Sequence, residues 1–141
     1  ADFAILNGTV RAFEEPVRRL LKRELQSVAS GVCASFGAKL EFDYKDGYPP
    51  TVNEPKMTAL VRETVAEAFG KSSPVEQDQT MGAEDMSYVL QKVPGCYLLL
   101  GSANKSKGLT YPHHSAQFDF DEEALPLGVE VWLRLAQRYL A

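Results

Sequence analysis

The sequence is poor in the features that mark whole classes of protein. Its 141 residues hold two cysteines, two histidines and one tryptophan. Cys33 and Cys96 stand far apart in apolar contexts and form no C-x-x-C pair. This excludes a disulfide framework and a dithiol redox site, and both thiols read as reduced core residues. No apolar run approaches the ~20 residues that a membrane helix needs, so no spanning helix is expected. The opening ADFAILNGTV has neither a basic n-region nor an apolar h-region; it does not read as a secretory signal, and a cytoplasmic setting is expected. A net charge of -4 leaves no excess of Lys and Arg for phosphate neutralisation, which argues against nucleic acid as a partner. G-x-G-x-x-G, G-x-x-x-x-G-K-[ST], G-x-S-x-G and H-E-x-x-H are all missing, as are repeats and low-complexity segments.

What remains is a globular composition, 45% hydrophobic and 24% charged, enough to bury a core in one domain or two small halves. Residues 3–13 (FAILNGTVRAF) are rich in β-branched and aromatic side chains and predict a strand, with Gly8 at a bulge. That strand begins almost at once after Ala1, which suggests a chain cut from something longer. A helix is predicted next. Its apolar positions are Val17, Leu20, Leu21, Leu25, Val28, Val32, Cys33 and Phe36, with Pro16 in the first turn and Gly37 as the stop. AKLEFDYKD then alternates Leu40, Phe42, Tyr44 against Glu41, Asp43, Lys45, the pattern of a half-buried strand. Residues 3–46 therefore read as a β-α-β unit.

GYPPTVNEP breaks the pattern and places a boundary near residue 50. Asn53 is the expected cap of a helix over 54–69, ended by Gly70. PVEQD (74–78) is a short strand candidate, AEDMSYVLQKV a short helix, and GCYLLLGS (95–102) a buried strand between glycines. ANKSKGLT reads as a polar, mobile loop. The last helix is expected from Asp121, its cap, to Ala141. Leu125, Val129, Trp132, Leu135, Ala136 and Tyr139 should point mostly inward, and Pro126 should kink it. Alternating helices and strands after residue 50 imply an α/β arrangement, while the first half looks α+β. Too few strands are present for a self-sufficient sheet, which again implies missing partners.

Three places carry candidate chemistry. His113 and His114 are adjacent, so their side chains diverge and at most one would ligate a given metal; a surface loop without ligand role is the other reading. In TMGAEDMSY (80–88), the backbone N–H groups of Gly82 and Ala83, followed by Glu84, form a turn that either faces a ligand or merely precedes favourable helix-start charges. Arg11 interrupts an otherwise apolar strand, either on a solvent face or as a two-pronged clamp for a carboxylate.

NGTVRAF, GYPPTVN, MGAEDMSYVLQKVPGCYLLLG and HHSAQFDFDEEALPLGVEVW, in this order, closely resemble the C-terminal part of metal-dependent amidohydrolases that remove acyl groups from amino acids. These are the hippurate hydrolases, N-acyl-amino-acid amidohydrolases and auxin-conjugate hydrolases of the aminoacylase and carboxypeptidase superfamily. The resemblance implies a catalytic α/β domain with two divalent metals, zinc or manganese, and an inserted β-α-β-β-α-β lid that forms a homodimer. Residues 1–50 would be the second half of that lid and 51–141 the last part of the catalytic domain. By the same resemblance His114, followed by Ser115, is a metal ligand, Arg11 holds the substrate carboxylate, and Gly82, Ala83 and Glu84 line the cleft. Ala83 and Met86 stand where the family more often has Ser and Phe. The remaining ligands and the general-base glutamate belong to N-terminal motifs that this sequence lacks, so no catalytic base is assigned here. The isolated chain is expected to be inactive and to hold no metal tightly. The implied substrate is a small N-acyl amino acid; the alternative is a non-catalytic dimerisation module.

Overall fold

The computed structural model describes residues 1–141, which form two compact units. One comprises Ala1–Val52 and Asp78–Val93, the other Asn53–Gln77 and Pro94–Ala141. The regular elements are helices: α1 (Glu15–Ser35), α2 (Pro55–Phe69), α3 (Met86–Leu90), a 3₁₀ turn (Lys105–Lys107) and α4 (Ala124–Leu140). No sheet forms, so the expected α/β layering is not seen in this chain. Residues 3–13, 38–46, 74–78 and 95–102 enter no ladder, and the single β-bridge joins Asn104 to Leu109. Strand character in a sequence is only half of a strand; the other half is a neighbour whose N–H and C=O groups complete the ladder. Residues 40–45 keep their alternation even so, with Leu40, Phe42 and Tyr44 half-buried between exposed Glu41, Asp43 and Lys45.

In the first unit, α1 begins with Pro16 in its first turn, where a missing N–H costs nothing. It ends in a Schellman motif: Ala38 N–H donates to Cys33 C=O (2.9 Å), Gly37 N–H to Ala34 C=O (3.2 Å), and Gly37 takes φ +63°. Lys22 reaches across to Asp46 (2.7 Å) and lies over the Tyr44 ring, 4.8 Å from its centroid. Arg18 donates to Gly47 C=O (3.0 Å). The apolar stripe read from the sequence is present on α1, yet α1 has no buried residue. Val28 is 63% exposed and Phe36 84%. The half-buried positions of α1 are Arg18, Lys22, Ala29 and Cys33, while most of the apolar stripe stays at the surface. Cys33 and Cys96 are both free thiols, and both are half-buried rather than core residues. Tyr48 meets Tyr88 edge to face (5.6 Å, 83°), which ties α3 to the 47–52 segment. Beside it lies a cavity of about 240 Å³ lined by Phe13, Pro50, Val52, Ser87 and Leu90.

In the second unit, α2 and α4 pack together, and no other two helices do. The buried face of α4 is Ala124, Val131 and Leu135, spaced by seven and four residues. Of the residues expected to point inward, only Leu135 is buried, and Trp132 is 64% exposed. Opposite them Thr64 is buried, its hydroxyl returned to Leu60 C=O (2.8 Å). Arg138 forks onto Glu63 (2.7 Å) and Glu67 (2.8 Å), two carboxylates one α2 turn apart.

The caps differ from expectation. Glu54, not Asn53, caps α2, accepting Met57 N–H at 2.7 Å. That bond, with a second from Lys56 N–H, holds the Glu54 carboxyl below the usual value. Asn53 instead exchanges two hydrogen bonds with the backbone of Tyr97, Nδ2 to C=O and N–H to Oδ1, both 2.8 Å. An amide side chain has the donor and acceptor of a peptide unit and here takes the place of a ladder neighbour. Pro126 falls at the third residue of α4, whose first turn has no N–H obligation to lose, so the expected kink has no cause there.

Candidate active site

Arg11 and the 80–84 segment share the first unit, and the fold joins them. Arg11 Nη1 donates to Met81 C=O at 2.6 Å, across 70 residues of sequence. The guanidinium is exposed and carries further N–H donors. Gly82 lies in the open: an added Cβ would meet only Thr80 Oγ1, at 3.6 Å. Ala83 is exposed and Glu84 half-buried, and Ser87 N–H donates to Glu84 C=O (3.2 Å) as α3 begins. Arg11 thus sets a planar cation beside the exposed backbone of Met81 and Gly82, an arrangement able to bind a carboxylate.

His114 belongs to the second unit, on the loop over residues 110–120. Ser115 N–H donates to Pro112 C=O (3.2 Å), and His114, third in that turn, takes φ +68°. It is the one non-glycine residue of the chain with positive φ, a conformation that costs on the order of 1–3 kcal/mol. Ser115 starts a second turn, its Oγ accepting Gln117 N–H (3.1 Å) and its C=O accepting Phe118 N–H (3.1 Å). The two histidines differ. The His113 ring stands edge to face on Phe118 (4.7 Å, 77°), whereas the His114 ring is exposed and makes no such contact.

The segment expected to be mobile, 103–110, is instead anchored. Asn104 and Leu109 exchange backbone hydrogen bonds at 2.9 Å in both directions, and Asn104 Oδ1 caps the 3₁₀ turn through Ser106 N–H (3.0 Å). Asn104 Nδ2 donates to Asp121 Oδ2 (2.6 Å), and Lys107 Nζ donates to Asp121 Oδ1 and Glu123 Oε1 (both 2.8 Å). Asp121, expected as a simple helix cap, is the centre of this network, with its side chain 12% exposed. The Lys107 ammonium, then Asn104, hold its carboxyl below the usual carboxylate range, and Asp121, then Glu123, push Lys107 up to about 12. Sequence reading passed over Asn104 and Lys107. Their signal is the Asn three residues before Lys, closed by Gly108 at φ +75°, the signature of a side-chain-capped turn.

An exposed imidazole can serve as one metal ligand, but no three His, Cys, Asp or Glu side chains come together in this chain. No helix is long and apolar enough to cross a membrane.

The chain belongs to peptidase family M20/M25/M40, whose sequence profile matches residues 5–138. This is a family of metal-dependent hydrolases acting on amide bonds. Thermostable carboxypeptidase 1 of Saccharolobus solfataricus is 39% identical over 139 residues, 98% of this chain and 35% of that protein. IAA-amino acid hydrolase ILR1-like 6 of Arabidopsis thaliana is 32% identical over 143 residues, 99% of this chain and 31% of that protein. The chain spans about a third of the length of the relatives it matches.

Proposed function

We propose that this chain is part of an amidohydrolase that cleaves the amide bond of N-acyl amino acids. Arg11 holds the substrate carboxylate, the 82–84 turn lines the cleft, and His114 supplies one metal ligand. The observation that carries the reading is the Arg11–Met81 hydrogen bond, because it places the two segments assigned to substrate binding side by side. Two relatives are named a carboxypeptidase and an IAA-amino acid hydrolase, names that fit a substrate with an amino acid end. When bound, the metal pair would polarise the scissile carbonyl and acidify the attacking water. The residues present here bind and orient. Arg11 offers two parallel N–H donors to a carboxylate, fixing the amino acid end. Gly82 has no Cβ and is exposed, and an added Cβ would meet only Thr80 Oγ1 at 3.6 Å, so substrate can approach its backbone closely. The general base and the other ligands lie outside this chain, in the rest of an α/β catalytic domain that residues 51–141 would complete. Zinc and manganese both suit such a site, and a cytoplasmic location is the expected setting.

The test is Arg11→Met in the longest gene product that contains the chain. KM for an N-acyl amino acid should rise ten- to a hundredfold, while hydrolysis of the matching substrate with its carboxylate amidated should change little. An equal effect on both substrates would refute the clamp. A second reading has one observation in its favour, the exposed and unpaired extended segment over residues 3–13. Such an edge pairs with another strand, and a homodimer through the lid, catalytic or not, would provide one. Sedimentation of the pure chain decides this: a monomer at high concentration is incompatible with it.

A further inference from the structure

The loop over residues 110–120 has two ends, and one residue is bonded to both. At the first end Asn104 exchanges both backbone hydrogen bonds with Leu109 (2.9 Å each). At the second its side-chain Nδ2 donates to Asp121 Oδ2 (2.6 Å). Lys107 adds its ammonium to the other oxygen of the same carboxylate (2.8 Å), and Asp121 N–H donates to Ser102 C=O (2.9 Å). Fixing both ends of a loop removes most of the conformations open to it. Within this loop His114 keeps a left-handed backbone that a β-substituted residue adopts only when its surroundings over-determine it. The ring of His113 against Phe118 and the Ser115 turn fix the loop from inside; the Asp121 network fixes it from its base.

We propose that Asn104 and Lys107 are positioning residues for His114, acting through the Asp121 carboxylate at the base of the loop. The inference rests on the ligand role given above to His114. A metal ligand is useful only in a fixed direction, and outer residues that orient it are commonly worth ten- to a hundredfold in affinity.

Two variants dissect the clamp. Asn104→Asp keeps the oxygen that caps the 3₁₀ turn but loses the donor to Asp121, and Lys107→Met removes the ammonium alone. In the 141-residue chain, amide exchange at Asp121 and Ser115 should quicken at least tenfold in either variant, while the amides of α2 keep their rates. Unchanged exchange at Ser115, or an equal rise at every amide, overturns the proposal. Zinc titration by calorimetry on the longest gene product judges the ligand role separately. His114→Ala should abolish one stoichiometric site, and Asn104→Asp should weaken zinc binding by about tenfold. Wild-type zinc affinity in Asn104→Asp overturns the positioning role. Wild-type zinc stoichiometry and affinity in His114→Ala overturn the ligand reading itself, whatever the exchange rates show.

Discussion

Ser87 carries a hydroxyl that no group answers. The residue is 0% exposed, and its Oγ has no hydrogen-bond partner. A buried hydroxyl without a partner costs about 1–3 kcal/mol of desolvation, so Ser87→Ala should raise stability by roughly 1 kcal/mol, read by denaturant titration. A loss of that size would mean the hydroxyl is bonded after all. Gly128 poses the opposite problem. It sits inside α4, where glycine costs about 1 kcal/mol relative to alanine, but an added Cβ would lie 3.1 Å from Leu100 Cδ2. The Leu100 side chain ends near the surface and can give way. Gly128→Ala is therefore expected within about 0.5 kcal/mol of neutral, and Gly128→Leu to destabilise by more than about 1 kcal/mol through overpacking. Asp121 and Lys107 set a pH window for the clamp. A carboxyl held below its ordinary 3.8 stabilises the fold above that value and stops doing so as pH falls through its lowered folded value. An ammonium raised to about 12 stabilises fully below its ordinary 10.5 and stops as pH rises through about 12. Protection of the Asp121 amide should accordingly stay flat between about pH 4 and 10 once intrinsic exchange is corrected, and fall outside it.

At the scale of elements, the second unit is held by substitutes for a ladder. Asn53 gives Tyr97 the two hydrogen bonds that a neighbouring strand would give, and Glu54 N–H adds a third to Gly95 C=O (2.9 Å). Asn53→Ala leaves a donor and an acceptor of the 95–102 segment unanswered and should cost about 1–2 kcal/mol in the same titration, whereas Asn53→Asp should recover only the half that accepts Tyr97 N–H. Helices were legible in the sequence because their signals are local. Pro16 and Gly37 bracket α1, Gly70 closes α2, and the apolar rhythm between them needs no information from elsewhere. Three things were not legible for the same reason. Whether residues 3–13 pair depends on a neighbour that no local pattern encodes. Which of Asn53 and Glu54 caps α2 was decided by the backbone of Tyr97, 44 residues on. The Asp121 network joins Asn104, Lys107 and Glu123, whose side chains look like ordinary solvent-facing polar groups until the loop folds. Within the candidate site, Arg11 and the 80–84 segment could be named one by one, but only the fold shows the hydrogen bond between them.

At the scale of the whole chain, composition and burial are at odds. Hydrophobic residues make up 45% of the sequence, enough for a real core, yet the buried apolar side chains are Ala124, Val131 and Leu135, all in the second unit. The first unit buries no apolar side chain completely, and α1 keeps Leu20, Leu25, Val28 and Val32 at the surface in one stripe. Burial contributes roughly 25 cal/mol for each Å² of apolar surface taken from water, and the backbone entropy of ordering about 1–2 kcal/mol per residue opposes it. A helix that covers its apolar stripe only in part has little to set against that cost. The amides of α1 in the isolated 141-residue chain are therefore expected to exchange with far less protection than those of α2 and α4, which cover one another. Apolar dye should bind the chain under native conditions, and calorimetry should show a broad transition rather than a sharp one. If the remainder of a family M20/M25/M40 enzyme covers this stripe, adding that remainder in trans or in one longer chain should release the dye and protect α1 together. Protection of α1 in the isolated chain equal to that of α4, with no dye bound, would instead mean that the 141 residues bury their own apolar surface, and the need for the rest of the enzyme would fall away.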